Sequence, residues 1–287
     1  MSCSTPVASV VIAAHNEEAV IGRCLDVLTG TAEPGELDVV VVANGCADRT
    51  ALVARDRDDV VVIETPEPGK SNAIALGDQV CRTFPRLYLD ADVDLDTESV
   101  RALVKAAAED GVLAAAPVAH YDLAATGPVA KRFHTVLETL IGERRMLAGA
   151  GVYLVTEAGH ERVFPMPEVL SDDGWVDRSF TGAERVRVAG ARSVVRPART
   201  VGAVVRRRAR VRLGNRQLDR LGRPADEPRL GLGELVRHVR AGRVPVLDAG
   251  CFLTVLLADR VLTRWRALRN RGSQWSADRT SRSGGPS

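Results

Sequence analysis

Arg86-Leu87-Tyr88-Leu89-Asp90-Ala91-Asp92 decides the fold. An apolar triplet reads as a buried strand, and it ends in two carboxylates spaced i, i+2. Residues 7–14 and 37–42 are also apolar, β-branched runs, as expected for strands covered on both faces. Each ends in polar residues, His15-Asn16-Glu17-Glu18 in the first case and Asn44-Gly45 in the second. Helical spacing of Ala19, Val20, Cys24, Leu25 and Leu28 follows the first strand, with Asn16-Glu17-Glu18 as the helix start. Residues 48–55 and 70–83 read as further helices around a third strand at 60–63. Strands alternating with helices predict an α/β domain with a mostly parallel sheet and helices on both faces. Ligands in such sheets bind beyond the carboxyl ends of the strands, where all three polar stretches fall.

Beyond residue 95 the pattern continues more loosely. A helix is expected over 97–109, a strand over 112–118, and a long amphipathic helix over 129–147. The glycines of Ala148-Gly149-Ala150-Gly151 end that helix before a strand at 152–155. Ser171-Asp172-Asp173 opens a helix running to Phe180, and residues 185–189 and 193–196 read as two short strands. From Arg206 onward the chain becomes arginine-rich and then helical, and residues 280–287 have a disordered composition.

Composition bounds the function classes. The chain has 287 residues, 45% hydrophobic and 26% charged, enough for a sizeable core. Its five cysteines, Cys3, Cys24, Cys46, Cys81 and Cys251, form no C-x-x-C pair, which fits a reducing cytoplasm. The five histidines show no metal-ligand spacing, and there is no P-loop, G-x-S-x-G or G-x-G-x-x-G. The N-terminal stretch lacks a basic n-region, and no run of about 20 apolar residues exists to span a bilayer. The net charge of +2 hides a split: from Arg206 to the end there are 19 Lys and Arg against 7 Asp and Glu. A basic tail of that kind suits phosphate or an anionic surface. The arginine cluster from Arg206 to Arg212 carries no interleaved aromatics and no recognised binding module, so nucleic acid is not an expected partner.

Two carboxylates at a strand end suit a hard divalent cation, which also takes phosphate oxygens. The four strings VVIAAHNEE, VVVVANGCADRT, PGKSNAIALG and YLDADVD, in that order, resemble family 2 glycosyltransferases of the GT-A fold. The resemblance is strong over the first 95 residues and looser through GAGVYLV, SDDGWVDRSF and RRRARVRLGN. It implies a metal-dependent, inverting transfer of a sugar from a nucleoside diphosphate sugar to an acceptor hydroxyl, on a lipid-linked or polysaccharide acceptor among others. It implies Mg²⁺ or Mn²⁺ held by Asp92 with Asp90, and donor contacts from Ala13, Asn16, Glu17, Asn44, Lys70 and Asp90. Arg206, Arg208 and Arg212 stand where relatives carry arginines that close over the donor diphosphate. Asp173 matches the second acid of a Glu-Asp motif and is expected to be the base, with Asp172 and Trp175 on the acceptor side.

Bland roles compete with each of these. Asn16, Glu17 and Asp172 also suit helix caps, and Trp175 also suits simple packing. Where relatives carry an acid at the end of the second strand this chain has Ala43, which leaves the nucleotide base open. The expected organisation is a transferase domain at 1–205, with a donor half at 1–95 and an acceptor half at 96–205. A basic helical arm at 206–279 and a tail at 280–287 follow. A peripheral contact with the inner face of the cell membrane is the expected secondary location, through a basic amphipathic helix. Two rivals are a sugar nucleotidyltransferase and a non-catalytic, membrane-associated sugar-nucleotide binder. The first needs a glycine-rich loop where this chain has AAHNEE.

Overall fold

A computed structural model describes residues 5–142, 146–226 and 231–268, with side chains as far as residue 262. The expected tail at 280–287 lies outside the described residues. The chain forms two compact units. The first comprises Met1–His120, Arg145–Val195 and Gln217–Asp226, the second Tyr121–Arg144, Arg196–Arg216 and Glu227–Ser287. The boundary expected at 205/206 falls inside one continuous helix, α8 (Val201–Arg220).

The first unit is the α/β sheet. Its opening elements are β1 (Ala8–Ala14), α1 (Ile21–Thr29), β2 (Leu37–Asn44), α2 (Thr50–Arg55), β3 (Val60–Thr65), α3 (Lys70–Asp78) and β4 (Arg86–Asp90). Then come β5 (Asp94–Leu95), α4 (Thr97–Ala107) and β6 (Ala114–Tyr121). After an excursion into the second unit follow β7 (Val152–Val155), α6 (Glu157–Val163), α7 (Asp172–Asp177) and β8 (Arg185–Val195). The strand order is β3-β2-β1-β4-β7-β6-β8-β5. The pairs β1–β2, β1–β4 and β2–β3 are parallel, whereas β7 joins β4 antiparallel. The apolar runs explain the parallel part: every residue of β2 is buried, and β1 is buried except at Ala13. Register places Ala13 opposite Asp90 and Ala14 opposite Ala43, so the polar ends of β1, β2 and β4 lie side by side.

Two local expectations change, and one strand is new. Asn16 does not start α1: it takes φ +55°, and the Glu17 carbonyl accepts from Val20 and Ile21 in a turn that delays the helix to Ile21. The two short strands expected at 185–189 and 193–196 are one strand, β8. A two-residue strand, β5, follows the acidic turn and pairs with the end of β8.

The second unit is helical. It contains α5 (Pro128–Ile141), most of α8, α9 (Leu232–Arg240) and α10 (Val246–Leu268). Phe133, Val136, Leu140, Val204, Leu235, Val244, Phe252 and Val255 form its core, with the Phe133 and Phe252 rings stacked at 4.9 Å. Among the described residues, no helix is long and apolar enough to cross a membrane.

Candidate active site

The site is built on the carboxyl ends of β1, β2 and β4. Asn44, buried at the end of β2, ties them together: its Nδ2 donates to the Ala14 carbonyl (2.8 Å), and its Oδ1 accepts from the Gly69 amide (3.0 Å). Both ends of that amide hold backbone, which leaves Asn44 as the clamp that sets the start of α3. Asn16 braces the neighbouring loops, with its Oδ1 accepting from the Ala47 amide at 2.8 Å. Glu17 is buried, and its amide donates to Thr50 Oγ1 at 2.8 Å.

Lys70 opens α3 and reaches two carboxylates at once. Its Nζ lies 2.5 Å from Asp90 Oδ1 and 2.8 Å from Asp172 Oδ1. Burial opposes its charge, but Asp172 and Asp90 outweigh burial and raise its pKa, so the ammonium stays protonated. Ala13, Lys70, Asp90 and Asp172 line one small cavity of about 10 Å³ with Val11, Ile74, Tyr88 and Leu89. The residues expected at the donor and acceptor ends thus meet at one ammonium.

Asp172 and Asp173 open α7 and differ in character. Asp172 is buried, and its Oδ2 accepts from the Tyr153 hydroxyl at 3.3 Å. Burial, with repulsion from Asp173 and Asp90, raises its carboxyl above the usual range against the pull of Lys70. Asp173 is half-buried. Its Oδ1 accepts from Ser171 Oγ and the Gly174 amide, both at 2.7 Å, and its Oδ2 accepts from the Gly149 amide at 3.0 Å. Burial works against its charge, but Lys70, Ser171 and the two amides outweigh it and lower the carboxyl. Ser171 is the N-cap of α7, its Oγ accepting from Gly174.

The turn Gly149-Ala150-Gly151 joins the two acidic elements. The Gly149 amide holds Asp173, and the Gly151 carbonyl accepts from the Asp90 amide at 2.8 Å. Both glycines have positive φ, +95° and +68°. A Cβ on Gly151 would lie 2.4 Å from Val93 Cγ2 and 3.5 Å from Asp90 Oδ2, whereas one on Gly149 meets open space. The Gly151→Ala variant is expected to lose stability by about 1–3 kcal/mol from strain alone, with overlap added. Gly149→Ala should lose less, and urea unfolding of the pair measures the difference. Equal midpoints would contradict this role for the turn.

Asp92 is half-buried just past the strand. The negative field here reaches Cys24 on α1, whose thiol is pushed up by burial and then by Asp94, Asp92 and Asp90. Among the described residues, no group of three or more His, Cys, Asp or Glu has metal-holding geometry. One or two carboxylates at a strand end still fit a hard cation such as Mg²⁺, which commonly takes few protein ligands and fills its shell with phosphate oxygens and water.

Trp175 and two of the three arginines have partners within the protein. Trp175 donates from Nε1 to the Val163 carbonyl (3.1 Å) and lies under the Arg223 guanidinium at 4.6 Å, so it packs within the first unit. Arg206, Arg208 and Arg212 lie on the part of α8 that belongs to the second unit. Arg208 and Arg212 both bind the buried Asp259 of α10, Arg208 Nε at 3.2 Å.

Residues 9–156 match the profile described as glycosyl transferase family 2, over half of the chain. The protein belongs to this family. No curated protein matches the sequence. Among solved structures, the fold is similar to that of a mannosyltransferase from Pyrobaculum calidifontis in complex with GDP-Man and Mn²⁺. The identity is 17% and the TM-score 0.59, covering 94% of this chain and 77% of that one. It is also similar to glucosyl-3-phosphoglycerate synthase from Mycobacterium tuberculosis in complex with Mn²⁺, UDP and glucosyl-3-phosphoglycerate. There the identity is 21% and the TM-score 0.53, covering 76% and 81% of the two chains. These likenesses establish the GT-A fold. In this family 2 glycosyltransferase the strings VVIAAHNEE, VVVVANGCADRT and YLDADVD run off the ends of β1, β2 and β4, and PGKSNAIALG opens α3.

Proposed function

We propose that this glycosyltransferase moves a sugar from a nucleoside diphosphate sugar to an acceptor hydroxyl with inversion, in a reaction that needs a divalent cation. The observation that carries the proposal is the Lys70 bridge, 2.5 Å from Asp90 and 2.8 Å from Asp172, which gathers a cation-type carboxylate, a phosphate-type ammonium and the acidic start of α7 at one point. The solved structures holding GDP-Man, UDP, Mn²⁺ or Mg²⁺ support it by analogy of fold.

Asp92 and Asp90 would hold the cation, which when bound supplies Lewis-acid neutralisation of the departing diphosphate. Lys70, at the first turn of α3, adds a fixed positive charge where the helix N-terminus already favours an anion. Asp173 is the base: it is more accessible than Asp172, stays ionised, and is held rigidly by three donors. The acceptor oxygen forms its bond to the anomeric carbon as the bond to the diphosphate oxygen breaks, and the acceptor proton passes to Asp173. A depressed carboxyl suffices because the hydroxyl becomes strongly acidic only as it bonds to carbon. Asp172, neutralised by Lys70, orients that ammonium. Direct displacement on the face opposite the leaving group inverts the anomeric centre.

The test is slow donor hydrolysis, with water as acceptor, followed by NMR of the released sugar. GDP- and UDP-sugars are supplied in turn with Mn²⁺. A freed sugar of opposite anomeric configuration to the donor is expected. Retained configuration would contradict the direct displacement, and cleavage equally fast in excess chelator would contradict the cation.

A further inference from the structure

The last turn of α8 belongs to the first unit, and it brackets the acidic helix α7. The Gln217 side chain holds the loop before α7 at two points: its Oε1 accepts from the Leu170 amide at 2.9 Å, and its Nε2 donates to the Glu168 carbonyl at 2.8 Å. Between them Val169 is buried, and its amide donates to Ser71 Oγ at 3.3 Å. Leu218 is fully buried against the first turn of α7, where a Cβ on Gly174 would lie 3.0 Å from its Cδ1. At the other end of α7, Arg178 donates to Asp219 Oδ1 and to the Arg223 carbonyl, each at 2.9 Å. This bracket matters because α7 has only six residues. Helices shorter than about 12 residues are marginal on their own, so the neighbours of α7 set where its side chains point.

We propose that Gln217 is a positioning residue for the base: it fixes the loop 168–170 and thereby, through Ser171, the direction of the Asp173 carboxylate. The inference rests on the assignment of Asp173 as base. Ser171 directly follows the clamped Leu170, and its Oγ donates to Asp173 Oδ1 at 2.7 Å. A primary amide suits this task, because it carries one acceptor and one donor group and so holds a backbone N–H and a backbone C=O together. Alanine holds neither, and a glutamate carboxylate holds only the N–H. Gln217 is neutral, so its loss removes no charge from the site. The donor side is fixed separately, because the start of α3 is clamped by Asn44 through the Gly69 amide. Loosening the loop therefore moves Asp173 and leaves Lys70 in place. A shift of about 1 Å at a reacting group can cost about a hundredfold in rate, so a remote clamp of this kind reads out in turnover.

The experiment uses the full chain, with GDP- and UDP-sugars and Mn²⁺, and reads donor hydrolysis and calorimetric donor affinity. Gln217→Ala is expected to lower kcat by about tenfold or more while the donor Kd stays within about twofold of the parent. Gln217→Glu keeps the Leu170 contact and should lose less, a graded rescue. The deciding readout is a double-mutant cycle: on an Asp173→Asn background, Gln217→Ala should cost nothing further, because the group it positions is already gone. An unchanged kcat in Gln217→Ala overturns the proposal. So does a loss of the same size on the Asp173→Asn background, or a loss carried by donor affinity, since each shows Gln217 acting on something other than the base. Should Gln217→Ala melt early, Gln217→Glu is taken through the same cycle and read by the same criteria. Asp173→Asn alone separates the two levels: full turnover there removes the base assignment and this inference with it. A slow Asp173→Asn beside a fast Gln217→Ala removes this inference only.

Discussion

Asp173→Asn is expected to cut turnover by about 10²–10⁴-fold, the scale of a lost general base, with donor affinity changed less than about threefold. The substitution keeps the shape but removes the charge that accepts the acceptor proton, and with a single acceptor oxygen Asn keeps only one of the two amide contacts, Gly149 or Gly174. Asp172→Asn should behave differently. Asp172 faces Lys70 at 2.8 Å, so its loss alters the donor's phosphate partner and raises the donor Kd. The pH profile separates the two carboxyls further. Against the cost of burial, Lys70 and its hydrogen bonds hold Asp173 below the ordinary carboxylate range, so it stays ionised through neutral and mildly acid pH and its limb of the turnover profile lies on the acid side of that range. Steady-state kinetics from pH 4.5 to 8 check this. A turnover limb near pH 6 that vanishes in Asp173→Asn would assign Asp173 a raised carboxyl and contradict the account.

Asp259→Ala is expected to destabilise the helical unit by about 3–5 kcal/mol. Asp259 is 1% exposed and faces both Arg208 and Arg212 across α8 and α10. Removing the acid leaves guanidinium groups that are already disfavoured: burial lowers Arg208, with Arg260 adding repulsion, and burial also lowers Arg212, with Arg208, Arg216 and Arg260 adding to it. A shift in thermal midpoint, with loss of helical signal at lower temperature, measures the effect. A variant that melts within a degree of the parent would show the arginines to be held by other contacts.

The donor half was legible because its signals are local. Apolar β-branched runs gave β1 and β2, and a carboxylate pair directly after an apolar triplet placed Asp90 and Asp92 at a strand end. Lys70 came from the resemblance of the string PGKSNAIALG to the family. What escaped was long-range. Nothing near Asn44 says that its amide joins Ala14 to Gly69. Gly149 and Gly151 read as a helix break, although two glycines flanking one residue before a strand signalled a turn with positive φ. Their use, to hold Asp173 and Asp90, depends on α7 packing 20 or more residues later. The pairing of Arg208 and Arg212 with Asp259 was not legible either, because that acid lies some fifty residues away. The helix at Pro128–Ile141 was seen but not its membership in the helical unit, since helical period says which face is buried and not what covers it.

Cation-linked donor binding tests the central claim most directly. Calorimetric titration of the parent with GDP- and UDP-sugars is run with Mn²⁺ and with excess chelator, and repeated on Asp92→Asn. The account predicts that at least one donor binds the parent at least tenfold more tightly with Mn²⁺, and that Asp92→Asn abolishes this gain. Equal donor affinity with and without the cation, or an undiminished gain in Asp92→Asn, would contradict it.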